Sequence, residues 1–264
     1  MSKKQIVLVV DSNAGGVGKS TIAREIAFRL SLFSGKVLLV DLDPSASQCV
    51  FTGVGHVAPE DTIVRIFEQG FKGDWPYVPL YDRSNLEAIL SSLKLEAIGY
   101  ELESRTRKEY VLADAFEDYQ TPHDVVVIDC PGTRTLFNVN ALAVATHMLF
   151  VIEPETKSTS GIVGLCQWYA SKIAGLRLKP PPQILGLLPS KVDRSGAAHR
   201  RYMGELEEMA SSGSLGLRLF KGIRYSKQFI NSSMVGLPLR MYRPGSAVNE
   251  DFDDVIAAVN ELRK

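Results

Sequence analysis

Ile6-Val7-Leu8-Val9-Val10 runs through Asp11-Ser12 into Asn13-Ala14-Gly15-Gly16-Val17-Gly18-Lys19-Ser20-Thr21, and Ile22, Ile26, Leu30 and Phe33 then recur at helical spacing. The first run is apolar without alternation, as in a strand buried on both faces. The last series is one stripe of an amphipathic helix. The loop between them carries three glycines and a lysine. A strand–glycine loop–helix unit brings backbone N–H groups and the positive end of a helix to one point. Lys19 adds an ammonium there, and Ser20 adds a hydroxyl able to hold a hard cation. Gly15, Gly16, Val17, Gly18, Lys19, Ser20 and Thr21 are the candidate polyphosphate cradle. A glycine-rich turn that merely contains a lysine is the plainer alternative, and the correctly placed strand and helix weigh against it.

Further apolar runs at Val37–Val40, Val125–Ile128, Met148–Ile152 and Ile184–Leu188 alternate with helix-length segments. This pattern predicts an α/β fold: a doubly wound, mostly parallel sheet with helices on both faces. Leu86, Ile89, Leu90 and Leu93 after Ser84 read as another amphipathic helix capped by that serine. Residues 71–84, with Gly73, Pro76 and Pro79, read as an irregular excursion, and Pro180-Pro181-Pro182 as a second. At the end of the chain Phe252, Val255, Ile256, Val259 and Leu262 form the apolar stripe of a packing helix. Residues 1–264 are expected to make one such domain.

The charges cancel overall, with 30 Lys plus Arg against 30 Asp plus Glu, but they are segregated. Residues 59–124 hold 14 acidic and 7 basic side chains, and residues 191–243 hold 10 basic and 4 acidic. The second segment contains Arg218, Lys221 and Arg224 without a base-reading helix signature, which fits contacts to a nucleic-acid backbone; a solvated face is the plainer reading. Cys49, Cys130 and Cys166 are too far apart for a metal clip or a disulfide framework, so a reducing cytoplasm is the expected compartment. There is no long apolar run, and the acidic last helix is unsuited to lie on a membrane, so no membrane partner is expected.

Asp41, Asp43 and Asp129 each follow an apolar strand and so fall at the carboxyl edge of the sheet, where open α/β folds bind ligands. Carboxylates beside a polyphosphate repel it unless a divalent cation intervenes, which implies magnesium held partly through water.

The glycine loop lacks the glycine that the usual Gly-x4-Gly-Lys-Ser/Thr pattern wants at position 13. It resembles the Lys-Gly-Gly-x-Gly-Lys-Ser/Thr loop of the ParA/MinD ATPases. Asp41-Leu42-Asp43-Pro44-Ser45-Ala46-Ser47-Gln48 resembles that family's Asp-x-Asp-Pro-Gln switch segment, and Asp129-Cys130-Pro131-Gly132 its Asp-Cys-Pro-Pro. Looser matches continue through Ala141, Leu142 and Ala145, Glu153-Pro154-Glu155, Gly236-Leu237-Pro238-Leu239 and Tyr242. The resemblance implies ATP and Mg2+ as cofactors, with Asp43 positioning the attacking water and Ser20, Asp41 and Asp129 at the metal. It further implies a homodimer with ATP sandwiched, non-specific DNA binding that makes the protein nucleoid-associated, and a small adaptor that stimulates hydrolysis. The cargo would be a plasmid, a chromosome or a carboxysome.

One departure stands out. The family's lysine before Gly-Gly is here Ala14, as in the carboxysome-positioning McdA type, which the chain resembles in this respect. Lys157, in the loop after the strand ending near Ile152, is the first candidate to supply the missing cation, and Arg134 the second. A nucleotide-sensing module with little turnover is the alternative. Ser190-Lys191-Val192-Asp193 resembles the guanine-reading Asn-Lys-x-Asp motif without its asparagine, and ATP is favoured over GTP. The Cys-x-x-Cys pair of a metallochaperone is absent.

Overall fold

The computed structural model describes residues 5–33, 35–155, 158–211 and 216–263. Among them, seven strands form one sheet: β1 (Ile6–Asp11), β2 (Val37–Asp41), β3 (Val78–Pro79), β4 (Leu86–Ile89), β5 (Val125–Asp129), β6 (His147–Ile152) and β7 (Gln183–Pro189). The helices in chain order are α1 (Lys19–Leu30), α2 (Ser47–Phe51), α3 (Val64–Phe67), α4 (Lys94–Leu102), α5 (Val111–Asp118), α6 (Leu136–Val144), α7 (Ser158–Leu176), α8 (Ala197–Ser211), α9 (Lys227–Met234), α10 (Leu239–Tyr242) and α11 (Asp253–Glu261).

The strand order is β3-β4-β2-β5-β1-β6-β7, and every pairing is parallel except that of the two-residue edge strand β3. Side chains alternate between two cores. Ile6, Leu8 and Val10 pack with α1 and α11, whereas Val7 and Val9 pack with α3 to α7. The expected doubly wound sheet covered on both faces is therefore present. β1 hands the chain through α1 to β2 on one side, and β5 hands it through α6 to β6 on the other. The crevice at the carboxyl ends of β1 and β5 is thus a topological switch point.

Two local expectations are corrected. Leu86–Ile89 is a strand, not part of a helix capped by Ser84. It completes the hydrogen bonding of β2, while Leu93 is exposed and the helix begins only at Lys94. Phe33 lies beyond the end of α1 and is half exposed. The excursion at 71–84 is irregular except for β3, and the terminal stripe is confirmed, with Val255, Ile256 and Val259 buried on α11.

α1 is buried nearly all round, charges included. The Arg24 guanidinium donates to the Phe51 carbonyl (2.7 Å) and to the Ser233 hydroxyl (3.3 Å), and it pairs with Glu25 (3.1 Å). Glu25 in turn accepts from the Leu239 N–H (2.6 Å) and pairs with Arg29 (3.3 Å), which reaches Asn249. Each buried charge is hydrogen-bonded, as burial demands. The network ties the helix behind the glycine loop to α2, α9 and α10.

Candidate functional site

The loop from Ser12 to Gly18 joins β1 to α1. Gly18, the residue before α1, has φ +92°, a left-handed conformation open to glycine at little cost. α1 starts with no capping side chain and no acid in its first turn, so its first N–H groups are left for an anion. The Lys19 side chain is buried and curls to within 3.5 Å of the Ala14 carbonyl. Gly132, just after β5, approaches so closely that a Cβ there would lie 3.0 Å from Gly15 Cα and 3.5 Å from Lys19 Nζ. Just after β7, the buried Ser190 hydroxyl donates to the Val17 carbonyl at 2.7 Å and braces the loop from the other side.

Asp41 and Asp129 are register partners on β2 and β5, and both are fully buried. Burial raises the Asp129 carboxyl to about 6, against hydrogen bonds from Ser20 and Gln48 that favour the charged form. Burial, reinforced by the neighbouring Asp129 charge, holds Asp41 well above the usual carboxylate range. Asp41 accepts from the N–H groups of Asp43 (3.0 Å) and Gln48 (3.3 Å). Asp43 is half-buried, faces the cavity described below and accepts from the Ser45 N–H at 2.9 Å.

No group of three or more His, Cys, Asp or Glu side chains among the described residues is arranged to hold a metal by itself. Magnesium does not need one, because it keeps several waters and binds through one or two carboxylates plus phosphate. The Ser20 hydroxyl beside Asp129, and the buried Asp129 Oδ1 with no hydrogen-bond partner among the described residues, fit such an ion. When bound, it would supply positive charge to offset that of the phosphates.

The loop and the acids border a cavity of about 670 Å3. Its polar end is residues 15–21 with Asp43. The rest of its lining is mostly apolar, with Phe51, Ile223, Tyr225, Phe229 and Met234 alongside Arg224, Ser226 and Ser233. An anion cradle continuous with a largely apolar cavity suits a nucleotide, whose phosphate and base ends differ in the same way. Ser190 and Lys191 line this cavity, whereas Asp193 is exposed and committed to a turn, accepting from the Ser195 N–H (2.9 Å) and hydroxyl (2.6 Å). The guanine-reading resemblance therefore has no aspartate at the cavity.

Lys157 lies outside the described residues. Arg134 is exposed, and its guanidinium sits 5.6 Å from the Trp168 ring centroid. The three basic residues expected at a DNA surface carry counter-charges. Arg218 pairs with Asp254 (2.6 Å), Arg224 with the buried Asp251 (2.6 Å), and Lys221 with Asp251 at 3.8 Å. Sequence reading also gave no role to Asp11, Arg24 and Gln48, all buried beside or behind the loop. Asp11 carried a signal, as an acid ending an apolar run, and so did Gln48, as the end of the switch-like segment; Arg24 is placed by contacts far away in sequence.

A glycine loop between strand and helix, with a buried lysine and carboxylates at the strand ends, defines a P-loop NTPase fold. The AAA domain family matches residues 4–174, and the chain belongs to it, within the ParA/MinD/Soj group of ATPases with a deviant phosphate loop. ATP with Mg2+ is typical of that group, and membership implies ATPase activity. The chain is 27% identical over 198 residues to the chromosome partitioning protein ParA of Myxococcus xanthus, covering 74% of this chain and 68% of that one. It is 22% identical over 256 residues to the sporulation initiation inhibitor protein Soj of Bacillus subtilis, covering 96% and 97%. The ATP complex of Cyanothece McdA has the same fold, with a TM-score of 0.84 at 24% identity over 97% of this chain and 96% of that one. No helix among the described residues is long and apolar enough to cross a membrane.

Proposed function

We propose that the 264 residues act as a single ParA-like switch that partitions or positions a cargo. ATP and Mg2+ favour a homodimer with nucleotide sandwiched between the copies. The dimer holds non-specific DNA in the cytoplasm, and a small adaptor stimulates hydrolysis and release. The observation that carries this reading is the meeting of the glycine loop, Lys19 and Asp43 at the polar end of one nucleotide-sized cavity. Likeness to ParA and Soj supports the partition role, and the shared Ala14 departure points toward an McdA-type cargo.

In this reading Asp43 positions the attacking water, and Ser20, Asp41 and Asp129 serve the magnesium shell. Lys157 supplies the cation that Ala14 cannot, at a point where charge develops in phosphoryl transfer. Arg218, Lys221 and Arg224 contact DNA phosphates. Their pairing with Asp251 and Asp254 means that the surface must exchange internal counter-charges for phosphates. Binding is then weak and strongly salt-dependent, with a slope of about −0.9 per phosphate neutralised.

The test is Asp43→Ala with saturating ATP, Mg2+ and duplex DNA. Persistent dimers on DNA without phosphate release are expected by sedimentation and ATPase assay. A variant that stays monomeric overturns the switch. If instead the unaltered protein with DNA and the protein encoded beside it turns over no faster than alone, the low-turnover nucleotide sensor takes its place.

A further inference from the structure

Gln48 is fully buried on α2, and its side chain joins three parts of the site. Its amide nitrogen donates to the Ser20 carbonyl at 2.8 Å and to Asp129 Oδ2 at 2.9 Å. The Ser20 carbonyl can only accept, so chemistry fixes which end of the amide is nitrogen. The Gln48 backbone N–H donates to Asp41 Oδ2, and its carbonyl accepts from the Thr52 hydroxyl at 2.6 Å. One residue thus touches both buried carboxylates and the first turn of α1.

The other end of the amide has no such account. Gln48 Oε1 is buried and has no hydrogen-bond partner among the described residues, and the same holds for Asp129 Oδ1. Leaving a buried acceptor unmade is costly, and an apolar residue of the same length would avoid that cost. Both orphans are acceptors, and they belong to side chains bonded to each other. The Ser20 hydroxyl and the Gln48 amide serve Asp129, but no donor among the described residues reaches these two oxygens, and water bound to a divalent cation is a strong one.

We infer that Gln48 is a positioning residue for the hydrated cation. Its amide nitrogen holds Asp129 against α1, and its amide oxygen accepts from a cation-bound water. This rests on the magnesium nucleotide reading of the site and adds to it a residue outside the glycine loop and the acids.

The experiment measures ATP affinity of the full chain by calorimetry across a magnesium series and in chelator, with melting temperature recorded alongside. Gln48→Met keeps length and removes both polar ends. We expect its ATP affinity in chelator to match the unaltered protein, its melting temperature to fall by a few degrees because the Ser20 carbonyl and Asp129 Oδ2 lose their donor, and its magnesium midpoint to increase by about tenfold or more, the scale of one charge-assisted hydrogen bond. An unchanged magnesium midpoint overturns the inference. So does an equal loss with and without magnesium, which marks a packing role. If Gln48→Met does not fold, Gln48→Asn gives the same comparison with shortened reach and the same expected rise. If the unaltered protein itself shows no magnesium-dependent ATP binding, the site reading fails rather than the assignment within it.

Discussion

Asp41 and Asp129 stand opposite one another at the carboxyl ends of β2 and β5, two carboxyl groups without solvent in one row of the sheet. Without a cation each raises the cost of ionising the other. The fold therefore holds electrostatic strain at the place where it would hold magnesium.

Asp129→Asn relieves that strain, because its new NH2 can replace the orphan Oδ1 while its oxygen keeps the Gln48 bond. The ligand-free variant should melt higher, by about 2–4 °C for a gain on the order of 1 kcal/mol. Stabilisation by magnesium with ATP should shrink. Scanning calorimetry with and without both ligands checks the two signs together.

Asp11, at the end of β1, receives bonds from Tyr169, Asn138 and the Ser12 N–H, yet burial still raises its carboxyl above 3.8. A raised folded value means that the folded state holds the proton more tightly. The resulting stabilisation is full below the unfolded value and is lost as pH rises through the folded one. Asp129, at about 6, acts with the same sign. Between about pH 4 and pH 7 these two acids should therefore contribute a loss of stability to the ligand-free protein, at most about 1.4 kcal/mol per pH unit for each proton released, against the opposite contribution of His123, whose pKa burial lowers. Urea midpoints across that range should fall less, or rise more, in Asp11→Asn than in the unaltered protein.

Lys19→Ala removes the ammonium beside the loop while leaving α1 and its buried charge network in place. ATP binding should drop below detection in calorimetry, with melting temperature little changed. Tight binding by this variant would put the phosphates elsewhere.

Gly236, between α9 and α10, has φ +68°, and a Cβ there would fall 2.3 Å from Gly53 Cα. Backbone meets backbone, and neither side can yield. Gly236→Ala should cost on the order of 3 kcal/mol and loosen the apolar wall of the cavity. Gly204→Ala on α8, where a Cβ meets no described atom within 4 Å, should be neutral or stabilising by up to about 1 kcal/mol. Denaturant midpoints of the pair give the comparison.

The sequence by itself determined the strand–loop–helix unit, the doubly wound sheet and the row of strand-end acids. These rest on local rules: apolar runs too uniform for a one-sided strand, glycines where the chain must turn left-handed, and a lysine and hydroxyl fixed relative to them by the helix they begin. Only the tertiary structure decided the rest. Leu86, Ile89 and Leu90 satisfy helical spacing as well as a buried strand. What selects the strand is the open edge of β2, whose backbone groups need partners supplied by a segment about 50 residues further along. Gln48 reads as one more polar residue after Pro44 until Asp129 and the Ser20 carbonyl close around it. Arg218, Lys221 and Arg224 read as a free basic surface until the terminal segment brings Asp251 and Asp254 against them, because charge is counted along the chain but cancelled across space.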